Sequence, residues 1–275
     1  MSDKVVLYEV SDHIATITLN RPEALNAWTG QMDVEYRAAF AEAEKDDDAR
    51  VIIVTGAGKG FCAGADMGLL QSVTQGKPAS ANGQGEVAQP GANSGMPDDF
   101  RQQYSWPPSV LKPVIGAING AAVGLGFVHA LFCDIRFCSD KAKLGAIFGQ
   151  RGLIAEYGLA WMLPRLIGMN HAMDLMYTSR VITAQEAHAM GLVSRVVPVE
   201  KLMDEVREYA TLIASTVSPR STAIMKKQAY TGLVSDLKPA LDMATDEMLK
   251  SLACNDFKEG VASFLERRAP HFTGK

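Results

Sequence analysis

Two stretches of the chain share one pattern, and it restricts the fold more than any other feature. Val51-Ile52-Ile53-Val54 is short and wholly apolar and runs into the glycine-rich GAGKGFCAGAD. Val114-Ile115-Gly116-Ala117-Ile118 is of the same kind and runs through Asn119 into GAAVGLGFVHAL, a turn leading into a helix. A strand with no polar face is buried on both sides, as in a sheet covered by other structure on both faces. CDIRFC (133–138) reads as another strand. Short buried strands alternating with helices indicate an α/β fold.

The flanking sequence fits. HIATITL (13–19) alternates, with Ala15, Ile17 and Leu19 on one face and Ile14, Thr16 and Thr18 on the other; with VVLYEV before it, a strand pair turns near Ser11-Asp12. Asn20-Arg21-Pro22 ends that pair. Thr29 suits the N-cap of a helix reaching about Lys45. Beyond about Val199 the pattern is helical: Leu202, Val206, Tyr209/Ala210 and Ile213 share one helix face, and Leu237, Leu241, Ala244, Met248 and Leu252 share another. Pro219 suits a first helical position. The boundaries that follow are an α/β core over 1–200 and a helical region over 201–275. Residues 71–99 interrupt the core. They are rich in Gly, Ala, Ser, Asn, Gln and Pro without periodicity, and read as a flexible insertion, either a surface loop or a lid over a site.

Composition removes several function classes. With 27 basic and 31 acidic residues the net charge is −4, so no general attraction to nucleic acid or anionic lipid is expected. Four cysteines in 275 residues suit free thiols in a reducing compartment. The N-terminal MSDKVVLYEV lacks the apolar centre of an export signal. The most apolar stretch, Val114 to Cys133, carries Asn119, His129 and four glycines, which argues against a membrane span. A cytoplasmic location is expected. There is no P-loop, no G-x-S-x-G and no H-E-x-x-H; GAGKG fails as a dinucleotide fingerprint because Phe61 stands where the third glycine belongs. Cys133 and Cys138 lack the neighbours of a zinc set, and His129, in an apolar segment, has no partner near it in sequence.

The candidate chemistry lies in the two glycine-rich junctions. In one, a strand is followed by Cys62-Ala63-Gly64-Ala65 and a helix starting near Asp66. In the other, Asn119-Gly120-Ala121-Ala122 leads to a helix starting near Leu125. Each exposes main-chain N–H groups at a helix N-terminus, and two such groups aimed at one point make an oxyanion hole. Ordinary strand–helix turns look the same, so the residues alone leave both readings open.

The chain resembles the crotonase superfamily, the enoyl-CoA hydratase/isomerase family, through LNRPEALNAW (19–28), VIIVTGAGKGFCAGADM (51–67), KPVIGAINGAAVGLG (112–126), LPRLIG (163–168), ITAQEAHAMGLVSRVV (182–197) and FKEGVASFLERRAPHFTGK (257–275). The resemblance implies a spiral of ββα units followed by a helical oligomerisation region, and a homotrimer or dimer of trimers. It implies an acyl-CoA thioester substrate whose carbonyl oxygen accepts from the Ala65 and Leu125 N–H groups, with coenzyme A contacts at Ala24, Ala63, Asp66, Met67 and Gly68. Coenzyme A belongs to the substrate; no metal or redox cofactor is implied.

The family's hydratases use two glutamates, and the matching positions here are Val128 and Phe148, neither of which can move a proton. Glu156 stands alone in the uncharged run from Gly152 to Pro164. In the family's isomerases an acid at this position serves as the base, which makes Glu156 the candidate for a 1,3-proton shift; the residues alone also allow a solvated glutamate capping a helix near Gly158. A hydratase using one glutamate, a hydrolytic or ring-isomerising enzyme and a non-catalytic acyl-CoA-binding scaffold remain alternatives, while acidity argues against RNA binding. Asp66 is expected to cap its helix beside the nucleotide, and Asp134 to be structural. Lys226-Lys227 and Arg267-Arg268 are expected to be solvated, with one pair in reach of the coenzyme phosphates. The acyl group is not readable, because pocket shape depends on where Phe100, Tyr104, Trp106, Phe148 and the insertion fall, and spacing does not give that.

Overall fold

The computed structural model describes residues 4–76 and 88–275. The chain opens with an antiparallel hairpin, β1 (Val6–Ser11) and β2 (Ile14–Leu19), paired from Val6↔Leu19 to Ser11↔Ile14. Helix α1 (Gly30–Lys45) follows, and the Thr29 hydroxyl accepts from the Met32 N–H at 3.2 Å, the N-cap read from the sequence. Then comes the repeating part. β3 (Val51–Gly56) and β4 (Gly60–Cys62) lead to α2 (Met67–Thr74); β5 (Val114–Ile118) and β6 (Ala121–Val123) lead to α3 (Leu125–Leu131); β7 (Ile135–Ser139) and β8 (Lys143–Gly145) lead to α4 (Leu159–Thr178). These are three ββα turns of a spiral, as the resemblance implies. β9 (Ile182–Thr183), α5 (Ala184–Ala189) and β10 (Arg195–Val197) complete it, and α6 (Leu202–Thr216), α7 (Pro219–Gly232), α8 (Leu237–Ala253) and α9 (Asn255–Glu266) follow.

In each turn the first strand joins one sheet and the second strand joins another. The larger sheet has the order β1-β2-β3-β5-β7-β10, parallel except for the hairpin; the smaller has the order β4-β6-β8-β9. Every residue of β3 is buried because both its faces are covered. Ile52 and Val54 enter the main core, while Val51 and Ile53 pack with Ile14, Ile115 and Phe137 under α6. Helix α6 presents Leu202, Val206, Ala210 and Ala214 at four-residue spacing to that outer face. The first C-terminal helix is therefore part of the core. Pro219 is the first residue of α7, behind the Ser218 cap.

Part of the 71–99 stretch is ordered by packing. Residues 71–74 finish α2. At the other end the Gly91 N–H donates to Glu44 Oε2 at 2.9 Å and the Ser109 hydroxyl donates to the Pro90 carbonyl at 3.3 Å, so residues 90–91 dock between α1 and the turn before β5. The stretch expected from composition to be a flexible insertion thus begins in a helix and is hydrogen-bonded at 90–91; its middle, 77–87, lies outside the described residues. The four cysteines are free thiols, and no helix among the described residues is long and apolar enough to cross a membrane.

Candidate active site

The two glycine-rich junctions meet. β4 and β6 pair in parallel through Gly60↔Ala121 and Cys62↔Ala122, so the loops leaving them run side by side into α2 and α3. A Cβ on Gly126 would lie 2.1 Å from the Cys62 carbonyl oxygen; only glycine admits the first turn of α3 this close. Gly64 has φ +96°, and a Cβ there would stand 3.7 Å from the Leu125 nitrogen. Ala65 and Leu125 thus come together. Leu125 opens α3, so its N–H has no partner within the helix. Ala65 is held by Trp28, whose N–H donates to Gly64 O at 2.7 Å and whose carbonyl accepts from the Asp66 N–H at 2.9 Å. Among the described residues neither the Ala65 nor the Leu125 N–H donates a hydrogen bond.

Two asparagines brace this corner. Asn26 is buried; its side-chain amide donates to Ala57 O at 3.0 Å and Gly60 O at 2.8 Å and accepts from the Arg21 N–H at 2.8 Å. Asn119 donates to Gly58 O and Gly60 O and accepts from the Gly56 N–H. The loop ahead of β4 is therefore tied to both neighbouring segments.

Ala65 and Leu125 line a cavity of about 490 Å³, and Glu156 lines the same cavity. So do Ala24, Ala63, Asp66 and Met67, four of the five residues expected to meet coenzyme A. Gly68 is exposed outside the wall, with its N–H donated to Asp66 Oδ1 at 2.9 Å. Asp66 therefore caps α2, and its other oxygen pairs with Arg21 at 3.1 Å. Glu156 stands on the loop before α4, half-buried, with no hydrogen bond or ion pair to its carboxylate among the described residues. Burial raises its pKa above the ordinary 4.5. It does not cap α4, where Gly158 is the cap residue and no side chain donates or accepts.

Of the four rings whose positions spacing leaves open, Tyr104 and Phe148 line this cavity. Phe100 lines a neighbouring one. Trp106 is in the core, 5.0 Å from Phe40 between ring centroids. Val128 is fully buried. Three wall residues, Tyr157, Arg151 and Leu153, escaped the sequence reading; the only signal was their closeness in sequence to Glu156.

The expectation of solvated lysines is corrected at Lys226. It is buried, pairs with Asp134 at 2.8 Å and donates to the Lys112 carbonyl at 3.0 Å. Asp134 also accepts from the Val114 N–H at 2.7 Å and the Tyr230 hydroxyl at 2.9 Å. This group fastens α7 to the start of β5, a structural use. Arg268 is exposed and paired with Glu259 and Glu266. His129 is buried one turn beyond Leu125 and stacks on Trp28 with ring centroids 3.9 Å apart. Burial and the nearby Arg37 push its pKa down to about 3, so it is neutral, and neither ring nitrogen has a hydrogen-bond partner among the described residues.

The profile of the enoyl-CoA hydratase/isomerase family matches residues 9–275. The chain belongs to this family. A probable enoyl-CoA hydratase of Mycobacterium bovis is 35% identical over 273 residues, 99% of each chain. The 1,2-epoxyphenylacetyl-CoA isomerase of Escherichia coli is 33% identical over 270 residues, 98% of each chain. The crystal structure of an enoyl-CoA hydratase from Mycobacterium tuberculosis superposes with a TM-score of 0.86 at 28% identity, covering 99% of this chain and 100% of that one. The fold is thus the family's spiral, and family members are hydratases and isomerases. The acids of the cavity wall are Glu156 and the Arg21-bound Asp66.

Proposed function

We propose that this protein is an acyl-CoA-processing enzyme that moves the double bond of an enoyl-CoA. The observation that carries the reading is one cavity holding two undonated main-chain N–H groups, at Ala65 and Leu125, and one unpaired carboxylate, Glu156. Thioester resonance is weak, so a proton on the carbon next to the carbonyl is acidic. Glu156 removes that proton from a 3-enoyl-CoA, and the electron pair passes into a dienolate whose charge rests on the thioester oxygen. The Ala65 and Leu125 N–H groups donate to this oxygen, and fixed donors act most where charge develops. The Glu156 carboxylic acid returns the proton at the γ-carbon, giving the 2-enoyl-CoA. A pKa raised by burial suits a group that must both take and give the proton.

The coenzyme leaves along Ala24, Ala63 and Met67, with Asp66 locked by Arg21 at the start of α2. The reaction uses this chain's own groups, without a metal or redox cofactor. The working assembly is a trimer or dimer of trimers built on the exposed apolar faces of α8 and α9, whose helices complete the nucleotide end of a neighbour's site.

A second reading, hydration with Glu156 as the single acid–base group, is favoured by the name of the Mycobacterium bovis relative. A panel of 2-enoyl-, 3-enoyl- and aromatic acyl-CoAs with product identification separates the readings. Isomerisation predicts 3-enoyl-CoA converted to 2-enoyl-CoA with no water added. Accumulation of 3-hydroxyacyl-CoA from 2-enoyl-CoA, with 3-enoyl-CoA untouched, supports hydration. Binding without turnover of any thioester leaves the scaffold reading.

A further inference from the structure

A second cavity, of about 390 Å³, lies directly behind the first. Tyr157 lines both. Its ring meets that of Tyr104 edge to face, with centroids 4.7 Å apart. Tyr104 faces the thioester cavity, while its chain neighbours Gln103 and Ser105 face the second one. Tyr157 is thus a wall common to both cavities, with Tyr104 against it and Glu156 next to it in the chain. Both adopt left-handed backbone, φ +61° at Tyr104 and +52° at Tyr157, a conformation that bulky residues seldom adopt. Strain of this kind persists where the surroundings enforce it, and it gathers at ligand clamps.

The second cavity differs in chemistry from the first. Phe100, Phe132, Tyr157 and Trp161 supply aromatic walls, with Phe100 and Trp161 set at 74° to each other and 6.0 Å apart. The polar residues of its lining are Asp99, Gln102, Gln103 and Ser105. Rings pack best against other rings in offset or edge-on geometry, and a mostly apolar chamber with a few polar groups is the usual form of a small-molecule site. A saturated chain gains from such walls only by burial, whereas an aromatic ring gains their edges and faces as well.

We propose that this cavity is the site for the far end of the acyl group and that it takes an aromatic ring, so that the substrates are aryl-terminated acyl-CoAs. The acyl chain runs from the thioester at Ala65 and Leu125, past Glu156 and along the Tyr157 ring, and ends among Phe100, Phe132 and Trp161. This inference rests on the proposed function in one respect, the seat of the thioester.

Saturated thioesters test it without turnover. Calorimetric Kd values for butanoyl-CoA, 4-phenylbutanoyl-CoA and 4-cyclohexylbutanoyl-CoA are compared in the wild type, Val234→Trp and Gln102→Trp. Val234 and Gln102 are exposed rim residues on separate segments of the second cavity, so each tryptophan fills the cavity from outside the core. The expected result is phenyl binding at least tenfold tighter than butanoyl and clearly tighter than cyclohexyl, with the preference lost in both variants. Equal wild-type affinities for phenyl and butanoyl, or a preference untouched by both tryptophans, overturn the proposal. If the phenyl preference holds while the enzyme fails to isomerise any 3-enoyl-CoA, the site stands and the reaction reading falls. If no thioester binds, both fall.

Discussion

Glu156 owes its candidacy to what does not touch it. Asp66 shares the cavity but is committed to Arg21 and to the Gly68 N–H, whereas burial alone acts on Glu156 and raises its pKa. A base must be ionised to accept a proton, so kcat/KM for isomerisation should fall on the acid side about a midpoint above 4.5, the ordinary value; a pH–rate profile locates it. His129 gives the opposite kind of prediction, in stability. Its pKa is about 3 when folded against an ordinary 6.5, so between these values the unfolded chain binds a proton that the folded chain does not. Stability from this group is complete above about pH 6.5 and is lost on acidification towards pH 3, by about 1.4 kcal/mol per pH unit. Phenylalanine keeps the stack on Trp28 without the titrating nitrogens. Urea unfolding of His129→Phe should show a shallower loss over that window than the wild type. Glu156 was legible in the sequence because it is the one charge in an apolar run. Tyr157 and the Asp134–Lys226 pair were not, since one matters through the cavities beside its ring and the other joins residues far apart in the chain.

The longer elements could be read because their side chains declare a period or a cap. β2 alternates, and its two faces enter the two cores. Thr29 and Pro219 mark the starts of α1 and α7. β4, β6 and β8, three residues each, were missed. A three-residue strand has no period to detect, and β4 and β6 also lie within the two glycine-rich junctions, whose small residues have the composition of a turn. The docking of residues 90–91 is likewise silent in the sequence, since small residues that dock closely have the composition of a flexible loop. The corner that carries Ala65 depends on Asn26, which makes three hydrogen bonds from a buried site. Asn26→Ala should cost about 3 kcal/mol, because partners are left unmet, and should lower kcat more than it weakens acyl-CoA binding. Thermal unfolding and steady-state kinetics on one preparation check both. Leu202→Ala opens a hole under α6, far from the cavity residues; it should cost about 2–5 kcal/mol and leave KM unchanged, as denaturant titration and kinetics will show.

At the scale of the molecule, the apolar stripe of α8 faces outward. Leu237, Leu241, Met248 and Leu252 are all exposed in the single chain, and Phe264 and Leu265 of α9 are exposed beside them. The helical face is legible in the sequence but what covers it is not, because periodicity reports that a face is apolar and says nothing about its partner. A surface of this kind calls for burial against another surface. Sedimentation should find a trimer or dimer of trimers, and Leu241→Asp with Met248→Asp should shift it to smaller species. The account as a whole turns on one carboxylate beside two main-chain donors. Its most direct test is the conversion of a 3-enoyl-CoA to its 2-enoyl isomer by Glu156→Gln at saturating substrate, with acyl-CoA affinity measured alongside. The expected result is a rate lower by about 100-fold or more with affinity preserved; a rate equal to that of the wild type contradicts the account.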